Sequence, residues 1–82
     1  MNHPATVADA MSVELGYREK QIARLLLRGK TNKEIAAALN LAEKTVKNYM
    51  SVLLDKLNVR NRLEALLAVQ RLPQLHADDG SI

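Results

Sequence analysis

A chain of 82 residues, 48% of them apolar, is long enough for one small domain and too short for a second. It has no Cys, Trp or Phe, which excludes disulfides, Cys-ligated zinc and thiol catalysis and leaves an aliphatic core, with Tyr17 and Tyr49 the only aromatic residues. The net charge of +3 conceals a segregation, because all 12 Lys and Arg lie between Leu15 and Leu72 alongside only Glu19, Glu34, Glu43, Asp55 and Glu64, while the other four acids sit in the flanks.

Residues 1–14 show no sustained period and read as a tail or the end of a linker, with a helical turn near Ala5–Met11. A first helix is expected over about Tyr17–Leu27, where Ile22, Leu25 and Leu26 share a face and Gly29 offers a left-handed stop. Thr31-Asn32-Lys33-Glu34 has the form of a capping box, which starts a second helix at Asn32 and carries it to Leu39. Asn40 tolerates left-handed dihedrals and so permits a sharp turn. A third helix follows over Glu43–Leu57, with Val46, Met50, Leu53 and Leu57 in one stripe and Asn58 as its left-handed cap. Asn61-Arg62-Leu63-Glu64 opens a fourth helix, whose apolar surface is read as Leu63, Leu66, Leu67 and Val69 and which stops before Pro73. From Pro73 onward, Pro and Gly punctuate the chain and a frayed tail over 73–82 is expected. The fold class is all-α, four short helices with tight connections.

The second helix, the turn and the third helix fit a twenty-residue helix-turn-helix counted from Asn32. Ile35, Ala36 and Leu39 fall at the fourth, fifth and eighth positions, Asn40 at the ninth, and Leu41, Val46 and Tyr49 at the tenth, fifteenth and eighteenth. Two helices crossing steeply need a small residue where they approach, a left-handed residue at the turn and apolar residues elsewhere. With the stripe of the third helix inside, Glu43, Lys44, Lys47, Asn48 and Ser51 are left facing out. Lysine donates to guanine O6 and N7 and asparagine pairs with adenine N6 and N7, and both reach base edges from a helix lying in a major groove about 12 Å wide. Thr45, near the helix start, suits a phosphate. A polyanionic partner and a merely solvated polar face are the two readings of these positions that charge alone leaves open.

Four runs together resemble a known family. They are Leu15-Gly16-Tyr17-Arg18-Glu19, Gly29-Lys30-Thr31-Asn32-Lys33-Glu34-Ile35-Ala36, Thr45-Val46-Lys47-Asn48, and Lys56-Leu57-Asn58-Val59-Arg60-Asn61-Arg62-Leu63-Glu64-Ala65. Across about residues 15–72 the chain is similar to the LuxR/GerE-type helix-turn-helix that ends response regulators of the NarL/FixJ group and quorum-sensing regulators. The resemblance implies a four-helix DNA-binding domain of a transcription regulator, in which the third helix reads the major groove and the fourth forms a symmetric dimer. It implies Lys44, Lys47 and Asn48 as base-edge readers with Ser51 on the same face, Thr45 as a phosphate contact, and Lys33 and Arg60 as flanking phosphate contacts. The dimer residues would be Leu63, Leu66, Leu67 and Val69. The implied partners are double-stranded DNA, a second copy of the chain (at its weakest only on DNA) and, as a further candidate, RNA polymerase. The chain departs from the family's pattern at Gly16, where Thr or Ser is usual, at Ala42, where Ser usually caps the third helix, and at Asn58, where Gly is frequent.

No nucleophile–base pair, metal cluster or phosphate-cradling Gly loop points to an enzyme. His3 and His76 lie in opposite tails, so no metal and no cofactor are expected. No apolar run approaches the roughly 20 residues of a membrane span, and no signal peptide is visible. The expected location is the cytoplasm, with the nucleoid when DNA is bound. A rival reading is a helical protein-interaction module that docks a partner on its Leu-rich fourth helix. The 82 residues suit either a complete regulator or the effector domain of a longer chain that bears a receiver or sensor.

Overall fold

The computed structural model describes residues 14–76, and among these every regular element is helical. In chain order they are α1 (Tyr17–Leu27), α2 (Asn32–Leu39), α3 (Glu43–Leu57), α4 (Arg62–Val69) and α5 (Pro73–His76). The first three match the bounds expected from the sequence, and α4 starts where expected but ends at Val69, well before Pro73. The helical turn expected near Ala5–Met11 lies outside the described residues.

Local chemistry sets these limits. At the start of α2 the Thr31 Oγ1 accepts from the Glu34 amide (3.1 Å) and the Glu34 carboxylate accepts from the Thr31 amide (2.9 Å), a complete capping box. At α4 the Asn61 Oδ1 accepts from the Glu64 amide (2.9 Å), while the Glu64 carboxylate reaches one residue further back, to the Arg60 amide (2.8 Å). Gly16 begins α1 with no side chain to offer, so only the return half of the box forms, Glu19 accepting from the Gly16 amide at 2.9 Å.

Three helices end alike. Gly29, Asn40 and Asn58 adopt φ of 79°, 57° and 56°. Beyond each of them the next residue's amide donates five residues back: Lys30 to Leu25, Leu41 to Ala36, and Val59 to Leu54. This is the Schellman pattern, which satisfies carbonyls that a helix end would leave bare.

The core is aliphatic throughout. Ile22, Ala23 and Leu26 of α1, Ile35 and Ala36 of α2, and Val46, Met50, Leu53 and Leu57 of α3 are buried together. The most extensive helix pair is α2 with α3, the helix-turn-helix. Ala36, the small residue at the point of approach, is buried between them.

Two features differ from the expectation. In α4 the inward face is Ala65 and Val69, continued by Leu72, all wholly buried, whereas Leu63 and Leu67 are 64% and 52% exposed and Leu66 lies between. Positions 65, 69 and 72 are one helical face, and the small Ala65 lets α4 sit close to the core. Val69 is therefore a core residue of its own chain and presents no surface to a second copy. Beyond α4, the four residues Pro73–His76 form a helical turn rather than a frayed end, and Leu75 is buried in the core. Proline ends one helix but is equally at home as the first residue of the next. Among the described residues, no helix is long and apolar enough to cross a membrane.

Candidate nucleic-acid interface

The chain around α3 fixes what it can present. Val46, Met50, Leu53 and Leu57 turn inward, so the opposite side is held toward solvent. Glu43, Lys44, Lys47, Asn48 and Ser51 are all exposed, and Thr45 is half-buried. At 1.5 Å per residue, Lys44, Lys47, Asn48 and Ser51 make a polar stripe about 10 Å long, the span of roughly three base steps.

The stripe is basic and sits at the electropositive end of the helix. Ala42, the residue preceding α3, makes no side-chain capping bond, and the first helical bond is from the Val46 amide to the Ala42 carbonyl (3.1 Å). The amides of Glu43, Lys44 and Thr45 thus have no carbonyl of the helix to donate to.

Ion pairs engage cations elsewhere. Lys56, near the other end of α3, donates to Glu19 at 2.8 Å and to the Glu14 carbonyl at 3.4 Å. Burial pushes the Glu19 carboxyl upward, yet the Lys56 hydrogen bond, the Gly16 amide and the Lys56 charge outweigh it and hold the group below its ordinary value. The pair pins α3 to the start of α1. Glu19 thereby helps to set how α3 lies against α1.

The flanking basic residues behave differently from one another. Lys33 is exposed in the first turn of α2. Arg60 is exposed too, but its guanidinium already pairs with Glu64 at 3.3 Å, and the Arg60 amide and side chain hold the Glu64 carboxyl below its usual range. A phosphate would have to compete with that carboxylate. Arg62, which sequence reasoning did not single out, donates to the Asn32 side chain at 2.8 Å and to the Lys30 carbonyl. It ties the start of α4 to the start of α2 and so brings the neighbourhoods of Lys33 and Arg60 together. The contact spans 30 residues, and nothing local in the sequence signals it.

On α4, Leu63 and Leu67 stand out in the open with Leu66 partly buried beside them. With Val69 withdrawn into the core, these three leucines are what remains of the expected dimer patch.

The arrangement is a two-helix unit locked through Asn40, presenting a basic stripe on its second helix. Residues 13–69 match the family model of the bacterial regulatory proteins of the luxR family. The chain belongs to the LuxR family. It carries that family's DNA-binding helix-turn-helix, a domain of transcription regulation. Among its relatives, the spore germination protein GerE of Bacillus subtilis is 41% identical over 61 residues, which cover 74% of this chain and 82% of GerE. The transcriptional regulatory protein DesR of the same organism is 49% identical over 49 residues, 60% of this chain. The HTH-type transcriptional regulator MalT of Vibrio campbellii is 36% identical over 75 residues, 92% of this chain. The matched stretch is 25% of DesR and 8% of MalT.

Proposed function

We propose that this LuxR-family domain binds double-stranded DNA in a sequence-specific manner, with α3 in the major groove. The observation that carries the reading is the exposed stripe Lys44, Lys47, Asn48 and Ser51 on a helix whose other side is the core. Lys44 and Lys47 would donate to guanine edges and Asn48 to adenine. Thr45 and the free amides at the start of α3 would hold a phosphate, with Lys33 and, in competition with Glu64, Arg60 taking phosphates further out.

The domain would act as a dimer through Leu63, Leu66 and Leu67 of α4. Leucines as exposed as Leu63 and Leu67 on an eight-residue helix support a surface that another apolar face covers. An isologous pair places the two reading helices about one helical turn of DNA apart, on a two-fold site. The whole protein would be a transcription regulator.

Selection from a randomised duplex pool tests this reading. Convergence on a two-fold motif is expected. A pool that fails to converge would overturn base reading by α3, and convergence on one unrepeated half-site would overturn the dimer.

A further inference from the structure

Beside the polar stripe, α3 exposes an apolar residue that the proposed contacts do not use. Val52 is 42% exposed, and with Thr45, Asn48 and Tyr49 it lines a shallow open hollow of about 290 Å³. Its position on the helix is what matters. Asn48 points almost directly away from the buried stripe. Lys44 lies one turn before Asn48 and about 40° to one side, and Val52 lies one turn after and about 40° to the other. The reading face thus has a basic flank and an apolar flank, with an amide between them.

Any group on that face that enters a major groove meets base edges, and these are nearly all hydrogen-bonding atoms. The C5 methyl of thymine is the one apolar group that unmodified DNA offers there. A valine exposed among base readers would lie idle or wasteful against N7, O6 or N4, but it matches this methyl. Its neighbour supports the same choice, because Asn48 has the donor and acceptor that fit adenine, whose pairing partner is thymine.

We propose that Val52, with the methyl of Thr45 and the ring of Tyr49, forms a receptor for a thymine C5 methyl. The thymine belongs to the base pair that Asn48 reads or to the one next to it. This inference rests on α3 being the reading helix and assigns the specificity of its apolar flank. It makes the preferred half-site contain an A·T pair at a fixed offset from the base pairs read by Lys44 and Lys47.

The test removes only the methyl. Each thymine of the selected site is replaced in turn by deoxyuridine, and binding is titrated with the parent and with Val52→Ala. A pool of unmodified nucleotides ensures that any methyl found is thymine's and not that of 5-methylcytosine. Burying one methyl is worth a factor of roughly four in affinity. The parent should lose three- to five-fold (about that factor) at one thymine per half-site, and Val52→Ala should lose nothing further there. Val52 is exposed and outside the core, so the variant should unfold at the parent's temperature. A selected site in which no thymine responds would overturn this inference and leave reading by α3 standing. So would a response undiminished in Val52→Ala. A pool that never converges would overturn both.

Discussion

Lys47 and Glu19 show how differently single side chains serve this domain. Lys47 is exposed in the middle of the polar stripe of α3, so its removal leaves the core intact. Lys47→Ala should weaken binding to the preferred site by about 1–3 kcal/mol and flatten the preference at one base pair. Titrating the variant against all four substitutions at that base pair checks this, and an unchanged preference there would remove Lys47 from the base readers. Glu19 acts through structure. Its carboxyl is held below the ordinary 4.5 in the folded chain, so the folded state binds its proton less readily than the unfolded chain does. The stability this supplies is fully present above about pH 4.5 and is lost as pH falls through the lower folded value. Glu19→Gln should therefore unfold a few degrees below the parent at pH 7, an effect of about 1 kcal/mol since Lys56 is 38% exposed to solvent. The gap should narrow in melts taken near pH 3. A gap of equal size at both pH values would mean that the charge of Glu19 is not what matters.

At the scale of the helices, ends are governed by chemistry reaching no more than about five residues. That is why they are legible in the sequence. Thr31 with Glu34, Asn61 with Glu64, and the left-handed Gly29, Asn40 and Asn58 are local signals, and each appears where its residues place it. Ala42 is the exception that makes a prediction. It occupies the N-cap of α3 without a capping bond, and serine there is worth roughly 1 kcal/mol more. Ala42→Ser should raise the unfolding temperature by about 4–8 °C. An unchanged melting temperature would show that the start of α3 gains nothing from a side-chain cap. What the sequence could not convey is which side of a short apolar helix turns inward. In α4, Leu63, Leu66, Leu67 and Val69 are all apolar, and eight residues are too few for periodicity to choose. Packing against α1 and α3 selects Ala65 and Val69. Pro73 was ambiguous for a related reason, since the same residue closes one helix and opens another. The burial of Leu75 is decided by the core it meets.

At the scale of the molecule, long-range ties hold the helix-turn-helix against its neighbours. Lys56 with Glu19 and Arg62 with Asn32 and Lys30 join residues 30 or more positions apart, and no local pattern announces such pairs. The exposed face of α3 was legible because it is what remains of that helix once the core stripe is subtracted. A basic body with Lys44 and Lys47 exposed on one face of α3 implies binding that falls steeply with salt whatever the sequence, since counterion release drives phosphate contacts. Base reading adds a part that salt does not erase. The two are separated by anisotropy titration of the selected duplex and a scrambled one at two salt concentrations. Base reading by α3 requires that both affinities fall as salt rises while the selected duplex stays about 10³-fold or more ahead. Equal affinity for the two duplexes at either salt would contradict it, and α3 would then be a basic surface that does not read sequence.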